Sequence, residues 1–310
     1  MSPDRSAVKP VVGLLCLVGV LASWSFGPTL SKQVTTYPIV SSSVRMFLAS
    51  SLQWAAALAF GIAPTRRLLR MTALPGALFC VNNILFFFAL QHASVAATTL
   101  LASLQPIVVL FVAQPLFHER VTRWDISWTA VSLLGAAIAV LGANRGGKAV
   151  PTTPLGAALS IASMLAFCGY FLAGKLHNSH GTETAPNPFT YMTAIFTWSA
   201  VTSLPFLILS GHAGDVPSIN RNQFLGLLLV TVVPTIGHFF LTFSHRHVDA
   251  SLSSLVLLIQ PVTAAFVAWR VLGQSVVPAQ GIGGVVVIAG IAAVTFRRRQ
   301  LSNSLHEGES

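Results

Sequence analysis

The sequence predicts an all-α integral membrane protein whose ten transmembrane helices form two inverted five-helix repeats. Composition is the first observation behind this prediction. Of the 310 residues, 54% are hydrophobic and only 8% are charged, whereas a soluble domain carries about 25% charged residues. So few charges cannot cover the surface of a water-soluble globule. This excludes a soluble enzyme, a disordered chain and a secreted disulfide scaffold, and it indicates a protein surrounded mostly by lipid.

Ten continuous apolar runs are the second observation. Each approaches the roughly 20 residues that a bilayer-spanning helix needs, and none alternates as a barrel strand would. The runs cover residues 11–30, 39–61, 73–91, 95–116, 125–143, 155–175, 189–210, 223–243, 250–271 and 279–296. The first run follows Arg5 and Lys9 and has the alternative of being a signal peptide. A retained helix is preferred because no clear small-residue cleavage site follows it.

An internal repeat is the third observation. A shift of 143 residues carries Gly13 and Lys32 onto Gly156 and Lys175, and Trp24 onto Phe167. A shift of 155 carries Gln105-Pro106 onto Gln260-Pro261 and the following Phe-Val-Ala onto a second Phe-Val-Ala. Two halves, residues 1–148 and 149–310, then hold five helices each. Because five is odd, the second half enters the membrane inverted, an architecture that recurs in secondary transporters.

The basic residues between the runs predict the orientation. Twelve lie on one side, namely Arg5, Lys9, Arg66, Arg67, Arg70, Arg120, Arg123, Lys175, Arg246, Arg297, Arg298 and Arg299. Five lie on the other, namely Lys32, Arg145, Lys148, Arg221 and Arg270. The richer side is cytoplasmic by the positive-inside rule, so both termini of this multi-pass protein are predicted in the cytoplasm, and the membrane is predicted to be the plasma membrane.

Several partners and groups are not expected. The net charge is +10, but no basic stripe interleaved with aromatics is present, so no nucleic-acid partner is predicted. Cys16, Cys80 and Cys168 lie inside apolar runs without paired spacing, which indicates buried thiols. The sequence predicts no metal and no cofactor; the expected partners are membrane lipid and a small-molecule substrate. Gly135, Gly142, Gly283 and Gly284 would allow close helix packing or a homodimer face, and the sequence leaves both open.

One segment resembles a known family. The residues Ala89-Leu90-Gln91-His92, Leu101, Leu104-Gln105-Pro106 and Phe117-His118-Glu119-Arg120 are similar to the fourth-helix signature of EamA-type carriers of the drug/metabolite transporter superfamily. Arg45 at the start of the second run also resembles that family. The resemblance implies ten helices, cytoplasmic termini, a central cavity, and export or exchange of small metabolites such as amino acids. Gln274 departs from it, since the family usually has an acidic residue there.

Polar groups at membrane depth indicate where a substrate would bind. Asn82 and Asn83 lie in the third run, and the 155-residue shift carries Asn83 onto His238 in the eighth. The interpretation is that Asn83 and His238 face one cavity across a pseudo-two-fold axis. The alternative is that they only hydrogen-bond neighbouring helices.

Aromatic residues complete the predicted site. Trp24 and Phe167 are repeat-related, and Tyr170 and Phe86 lie nearby, so these side chains would enclose an organic substrate or simply pack in the core. The predicted substrate-binding set is Trp24, Asn82, Asn83, Phe86, Phe167, Tyr170 and His238. Gln105-Pro106 and Gln260-Pro261 are predicted hinges or gates, with a static kink as the alternative. Arg45 is expected to snorkel to the headgroups or to bind a substrate carboxylate.

The acidic residues bear on the mechanism. They are Asp4, Glu119, Asp125, Glu183, Asp215, Asp249, Glu307 and Glu309, and none falls in the middle of a predicted span. Facilitated diffusion or exchange by alternating access is therefore expected, with proton-coupled efflux through His238 as the alternative. No catalytic motif is recognisable, so an enzyme is not expected. A membrane scaffold without transport remains the third hypothesis.

Overall fold

The computed structural model describes residues 5–31, 34–93, 95–117, 121–143, 153–178, 185–272 and 278–307. These ranges contain α-helices and two short 3₁₀ turns, at 213–218 and 257–259, and no strand. The helices are α1 Arg5–Trp24, α2 Gly27–Ser31, α3 Pro38–Ala59, α4 Arg66–Met71, α5 Ala73–His92, α6 Val95–Ala102, α7 Gln105–Phe117, α8 Arg123–Ala143, α9 Pro154–Asn178, α10 Pro188–Leu209, α11 Arg221–Ser244, α12 Ala250–Val256, α13 Gln260–Leu272 and α14 Pro278–Glu307.

The apolar runs predicted the helices closely. From the second run to the tenth, a helix begins within two residues of each predicted start. Within the described ranges, four helices are long and apolar enough to cross a membrane, namely α5, α9, α10 and α11. The all-helical, membrane-spanning class is thus confirmed, whereas the number of ten spans stays a prediction.

Several predictions concern residues outside the described ranges. The boundary between residues 148 and 149 lies there, as do Gln274 and the basic residues Lys32, Arg120, Arg145 and Lys148.

Helix starts follow local chemistry. Asn187 accepts a hydrogen bond from the Phe189 backbone N–H at 2.9 Å and is followed by Pro188, a residue suited to the first helical turn. At α11, Asn220 and Gln223 form a reciprocal capping box with bonds of 2.9 and 3.0 Å. These signals set the residues at which α10 and α11 begin.

The fourth and ninth runs are each divided into two helices immediately before a Gln-Pro pair. On either side of Gln105, the bonds from Leu104 N–H to Leu101 O and from Ile107 N–H to Leu104 O span three residues instead of four. Before Gln260, residues 257–259 form a 3₁₀ turn. Pro106 and Pro261 have no backbone N–H, so the i→i−4 bonds to the carbonyls of Ala102 and Leu257 cannot form. The breaks leave α6, α7, α12 and α13 as shorter helices.

In each of the main helix–helix contacts, one helix lies before residue 144 of the chain and its partner lies after residue 153. The principal packing pairs are α3 with α10, α8 with α14, α5 with α9 and α1 with α11. The largest apolar core lies among α1, α3, α5, α9, α10 and α11 and includes Phe79, Phe171, Tyr191 and Met192. A smaller core, with Ala136, Leu255 and Val287, joins α8, α12 and α14.

Glycine residues allow α14 to pack closely against α8 and α13. A Cβ added to Gly135 in α8 would lie 2.8 Å from the Gly283 carbonyl oxygen of α14, and one added to Gly284 would lie 2.9 Å from Val262. Gly135 and Gly284 are therefore already used in contacts inside one chain. The homodimer face stays a prediction.

Candidate functional site

A cavity of about 190 Å³ lies among helices from both halves of the chain. Its wall combines the long helices α1, α3, α5, α9 and α11 with the short helices α2, α6, α7, α12 and α13. Mostly apolar walls with a few polar groups are typical of small-molecule sites. Six of the seven residues predicted to bind substrate lie on this wall, namely Trp24, Asn82, Asn83, Phe86, Phe167 and His238.

Aromatic rings form one side of the cavity. Trp24 and Phe167 meet edge to face with their ring centroids 5.7 Å apart. The His238 ring lies 4.6 Å from Trp24 and 4.6 Å from Phe79, again between centroids. The repeat-related pair from α1 and α9 is thus in direct contact, and His238 of α11 joins it. Such a cluster can enclose the apolar part of an organic molecule.

Hydrogen bonds from Ser23 and Trp24 hold the end of α1 against α11. The Trp24 Nε1–H donates to the Pro234 carbonyl oxygen at 3.1 Å. The Ser23 hydroxyl donates to the Val233 carbonyl and accepts from the Gly237 N–H. The hydroxyl thus contacts the Val233 carbonyl and the Gly237 N–H, which stand four residues apart in α11, one turn beyond the Val230 carbonyl that Pro234 cannot pair. Gly237 leaves room for the indole ring.

Gly237→Ala is expected to displace Trp24 from the cavity wall. A Cβ at this position would overlap Nε1 and Cδ1 of Trp24, and overpacking of this kind costs about 1–3 kcal/mol. Thermal unfolding of the purified protein should show the loss of stability. The control is Gly226→Ala on the same helix, where the nearest atom is 3.9 Å away in Val34. Equal stability of the two variants would contradict the close approach.

Asn83 and Arg45 form the most polar part of the wall. The Arg45 guanidinium Nη1 donates to Asn83 Oδ1 at 2.7 Å, and Asn83 Nδ2 donates to the Phe79 carbonyl at 2.8 Å. The Arg45 side chain is only 7% exposed. Arg45 therefore points at the cavity beside Asn83, rather than extending to the headgroups as expected for a snorkelling side chain.

Asn82 both lines the cavity and joins two helices. Its Nδ2 donates to the Ser163 hydroxyl at 2.9 Å and to the Ser163 carbonyl at 3.0 Å, and the Ser163 hydroxyl donates to the Asn82 carbonyl at 3.1 Å. Asn82 thus combines helix–helix hydrogen bonding with cavity lining in one side chain.

The predicted hinge residues lie at the cavity as well. Gln105, Pro106 and Gln260 line it, while Pro261 is described only by its backbone in α13. Gln105 is buried, and its Nε2 has no hydrogen-bond partner among the described residues. The break before Gln105 therefore brings an amide nitrogen without a hydrogen-bond partner among the described residues to the cavity wall.

Tyr170 differs from the prediction in its position. It is buried behind the wall, with its hydroxyl 3.2 Å from His238 Nδ1. It supports His238 rather than lining the cavity. A set of hydroxyl side chains on the wall was not predicted, because their only signal in the sequence was serine and threonine in or beside apolar runs. They are Ser31, Thr98, Thr99, Ser103, Ser160, Ser163 and Ser254.

A buried lysine joins two parts of the chain outside the cavity lining. Lys175 of α9 is 4% exposed, and its Nζ donates to the carbonyl oxygens of His245 at 3.0 Å and Val248 at 2.7 Å. These carbonyls belong to the link between α11 and α12. Lys175 thus fastens α9 to that link.

A bundle of apolar helices around a partly polar cavity is the construction of a membrane transport protein for small molecules. The model of the EamA-like transporter family matches residues 11–141 and again residues 154–296, so the chain belongs to that family, which is part of the drug/metabolite transporter superfamily. This membership indicates a membrane transporter and not an enzyme.

Two curated relatives agree with the family. A "Probable terminal-alkyne amino-acid exporter" of Streptantibioticus cattleyicolor is 25% identical over 285 residues, which cover 91% of this chain and 92% of that protein. The "Uncharacterized transporter YxxF" of Bacillus subtilis is 22% identical over 234 residues, covering 74% and 71%. A crystal structure at 19% identity superposes with a TM-score of 0.73 over 95% of this chain and 99% of that one, which shows a shared fold.

Proposed function

We propose that this protein is a secondary transporter that exports or exchanges a small organic metabolite, an amino acid or a related compound, by alternating access through the central cavity. The observation that carries the proposal is a cavity lined jointly by both segments that match the family model. A site shared by two halves can be exposed to either side when the halves rock against each other. The name of the Streptantibioticus cattleyicolor relative supports the substrate class.

The proposed architecture is ten spans in two inverted five-helix repeats, residues 1–148 and 149–310. Helix packing supports it, because exchanging the halves converts the α5–α9 pair into α11–α1 and leaves α3–α10 and α8–α14 unchanged. The surroundings of two glycines that the 143-residue shift relates support it too. Gly13 packs on His247 and Val248, and the shifted Gly156 packs on His92 and Ala93.

We further propose that both termini are cytoplasmic in the plasma membrane and that this conformation faces outward. With that orientation, the cavity residues Ser31, Thr98 and Ser160 lie near the outer ends of their helices, and Lys175 lies near the inner ends. The cavity would then be accessible from outside while the fastening by Lys175 closes the inner side.

Asn83→Leu is expected to impair transport at least tenfold without lowering membrane abundance. The substitution removes the acceptor of Arg45 and a polar group of the cavity, and a lost hydrogen bond to a charged group costs roughly 1.5–3 kcal/mol. A substrate-panel efflux screen in overexpressing cells identifies the compound and measures the rate. The matched control is Asn222→Leu, at an exposed position in the first turn of α11. An unchanged efflux rate would remove Asn83 from the site.

A pH gradient across proteoliposomes is expected not to drive uphill uptake. His238 is surrounded by the rings of Trp24, Phe79, Tyr170 and Phe196, and no carboxylate is among the described residues that line the cavity. A proton relay would need such a partner. Accumulation that requires the gradient and disappears in His238→Ala would establish the proton-coupled alternative instead. A non-transporting scaffold would show neither efflux nor stabilisation by any compound of the panel.

A further inference from the structure

Arg45 is the one permanently charged side chain among the described residues that line the cavity. It is the eighth residue of α3 and is buried to all but 7% of its surface. Burying an unpaired charge is costly in a protein and more so in a membrane. A buried guanidinium therefore calls for a partner that compensates its charge.

The described chain does not supply that partner. Arg45 donates one hydrogen bond, to Asn83 Oδ1, and the amide of Asn83 is neutral. Within the described ranges the recorded ion pair is His212 with Asp215, outside the cavity. A guanidinium has five N–H donors in a planar fork, so the single bond to Asn83 orients it and leaves donors for a ligand.

A second donor on the same wall is also unsatisfied. Gln105 is 7% exposed, lines the cavity, and has no hydrogen-bond partner for Nε2 among the described residues. Leaving a buried donor unpaired costs about 1–3 kcal/mol. Arg45 and Gln105 therefore both present hydrogen-bond donors to an acceptor inside the cavity.

We infer that Arg45 binds the carboxylate of the transported molecule, and that the substrate class is organic carboxylates, amino acids included, with an apolar or aromatic remainder. A carboxylate matches the planar fork and neutralises a single positive charge, whereas a phosphate dianion would leave the cavity with an excess negative charge. Trp24, Phe79 and Phe167 enclose the remainder. Asn83 is a positioning residue for the guanidinium. This inference rests on the proposed transport function.

Matched pairs of compounds test the head group separately from transport. The probes are 3-phenylpropionate with 3-phenylpropanamide, L-phenylalanine with L-phenylalaninamide, and L-leucine with L-leucinamide, which differ within each pair only at the carboxyl group. Binding to the purified full chain is measured by ligand-induced thermal stabilisation. We expect at least one carboxylate to bind about tenfold to a hundredfold more tightly than its amide, the ratio for a lost charged hydrogen bond.

Two variants test whether Arg45 is the cause. Arg45→Gln keeps a polar side chain beside Asn83 and should abolish the preference for the carboxylate. Asn83→Asp places a carboxylate next to the guanidinium and should weaken carboxylate binding by competing for it, with the arginine still present. Arg66→Gln removes an exposed cation of α4 outside the cavity and should leave the preference unchanged. Size-exclusion profiles confirm that each variant is folded.

The outcomes separate this inference from the proposed function. Equal binding of acid and amide by the wild type, an unchanged preference in Arg45→Gln, or no stabilisation by any pair would overturn the carboxylate assignment. The proposed transport function would stand in each case if the efflux screen finds an exported compound. Absence of efflux for the whole panel overturns the transport proposal whatever the binding results.

Discussion

Lys175→Met is expected to open the end of the bundle that we propose faces the cytoplasm, called the inner end, and to shift the resting conformation by about two orders of magnitude. The Lys175 ammonium donates to the carbonyls of His245 and Val248 in the link between α11 and α12. Methionine has a similar length but no donor, so both carbonyls lose this partner. At roughly 1–3 kcal/mol for each unpaired group, a total near 3 kcal/mol changes a two-state ratio about a hundredfold.

Accessibility of a buried cysteine measures that shift. Met192 is fully buried, with its sulfur 3.8 Å from the Tyr170 hydroxyl and 3.1 Å from that of Thr242. In a chain whose three native cysteines are replaced by alanine, Met192→Cys should react slowly with a membrane-impermeant thiol reagent. Adding Lys175→Met should speed the reaction by one to two orders of magnitude.

The control variant removes an exposed cation that lies outside the link between α11 and α12. Arg67→Met, at an exposed position of α4, should leave the reaction rate of the cysteine at position 192 unchanged. If Lys175→Met also leaves it unchanged, other contacts hold the inner end closed, and the fastening by Lys175 is structural only.

Helices were predictable from the sequence because lipid leaves the backbone no partner but itself. Apolar length therefore marks each helix, and α5 begins at the predicted residue 73. The breaks before Gln105 and Gln260 were predictable as proline effects, but their 3₁₀ geometry was not. That geometry depends on which neighbours satisfy the freed carbonyls, and these become known only in the packed bundle.

The site was predictable as far as the repeat extends. Shifting the sequence paired Trp24 with Phe167, and these two rings touch. The shift gives no direction for a side chain that lacks a counterpart. The position of Tyr170 behind His238 was therefore not predictable from it. Arg45 could not be resolved between the headgroups and a carboxylate, because its orientation depends on Asn83, which is 38 residues away in the chain.

Lys175 shows a different limit. In the sequence it stands at the end of an apolar run, where a basic residue usually indicates the cytoplasmic headgroups. Its burial arises from the link at residues 245–248, about 70 residues further along the chain. The repeat did mark the position, since the 143-residue shift relates Lys175 to Lys32, but a shared position does not reveal a shared contact.

Substitutions of the aromatic pair Trp24 and Phe167 test whether the two halves of the chain enclose the substrate together. Trp24→Leu and Phe167→Leu should each weaken binding of the exported compound about tenfold, because each removes one aromatic face while keeping an apolar side chain. Trp24→Leu should also lower the thermal unfolding temperature more than Phe167→Leu does, because it loses the hydrogen bond to the Pro234 carbonyl. Trp124→Leu is the control, at an exposed tryptophan of α8 beside Arg297.

The double variant gives the decisive comparison. Because the rings of Trp24 and Phe167 lie 5.7 Å apart, removing one already frees the other to move, and aromatic pairs couple by about 0.5–1.5 kcal/mol. The double variant should therefore bind roughly twofold to tenfold more tightly than the product of the two single effects implies. Effects that multiply fully would mean that each ring contacts the substrate independently. No effect from either single variant would mean that the compound is bound away from this pair, and the cavity would no longer be its site.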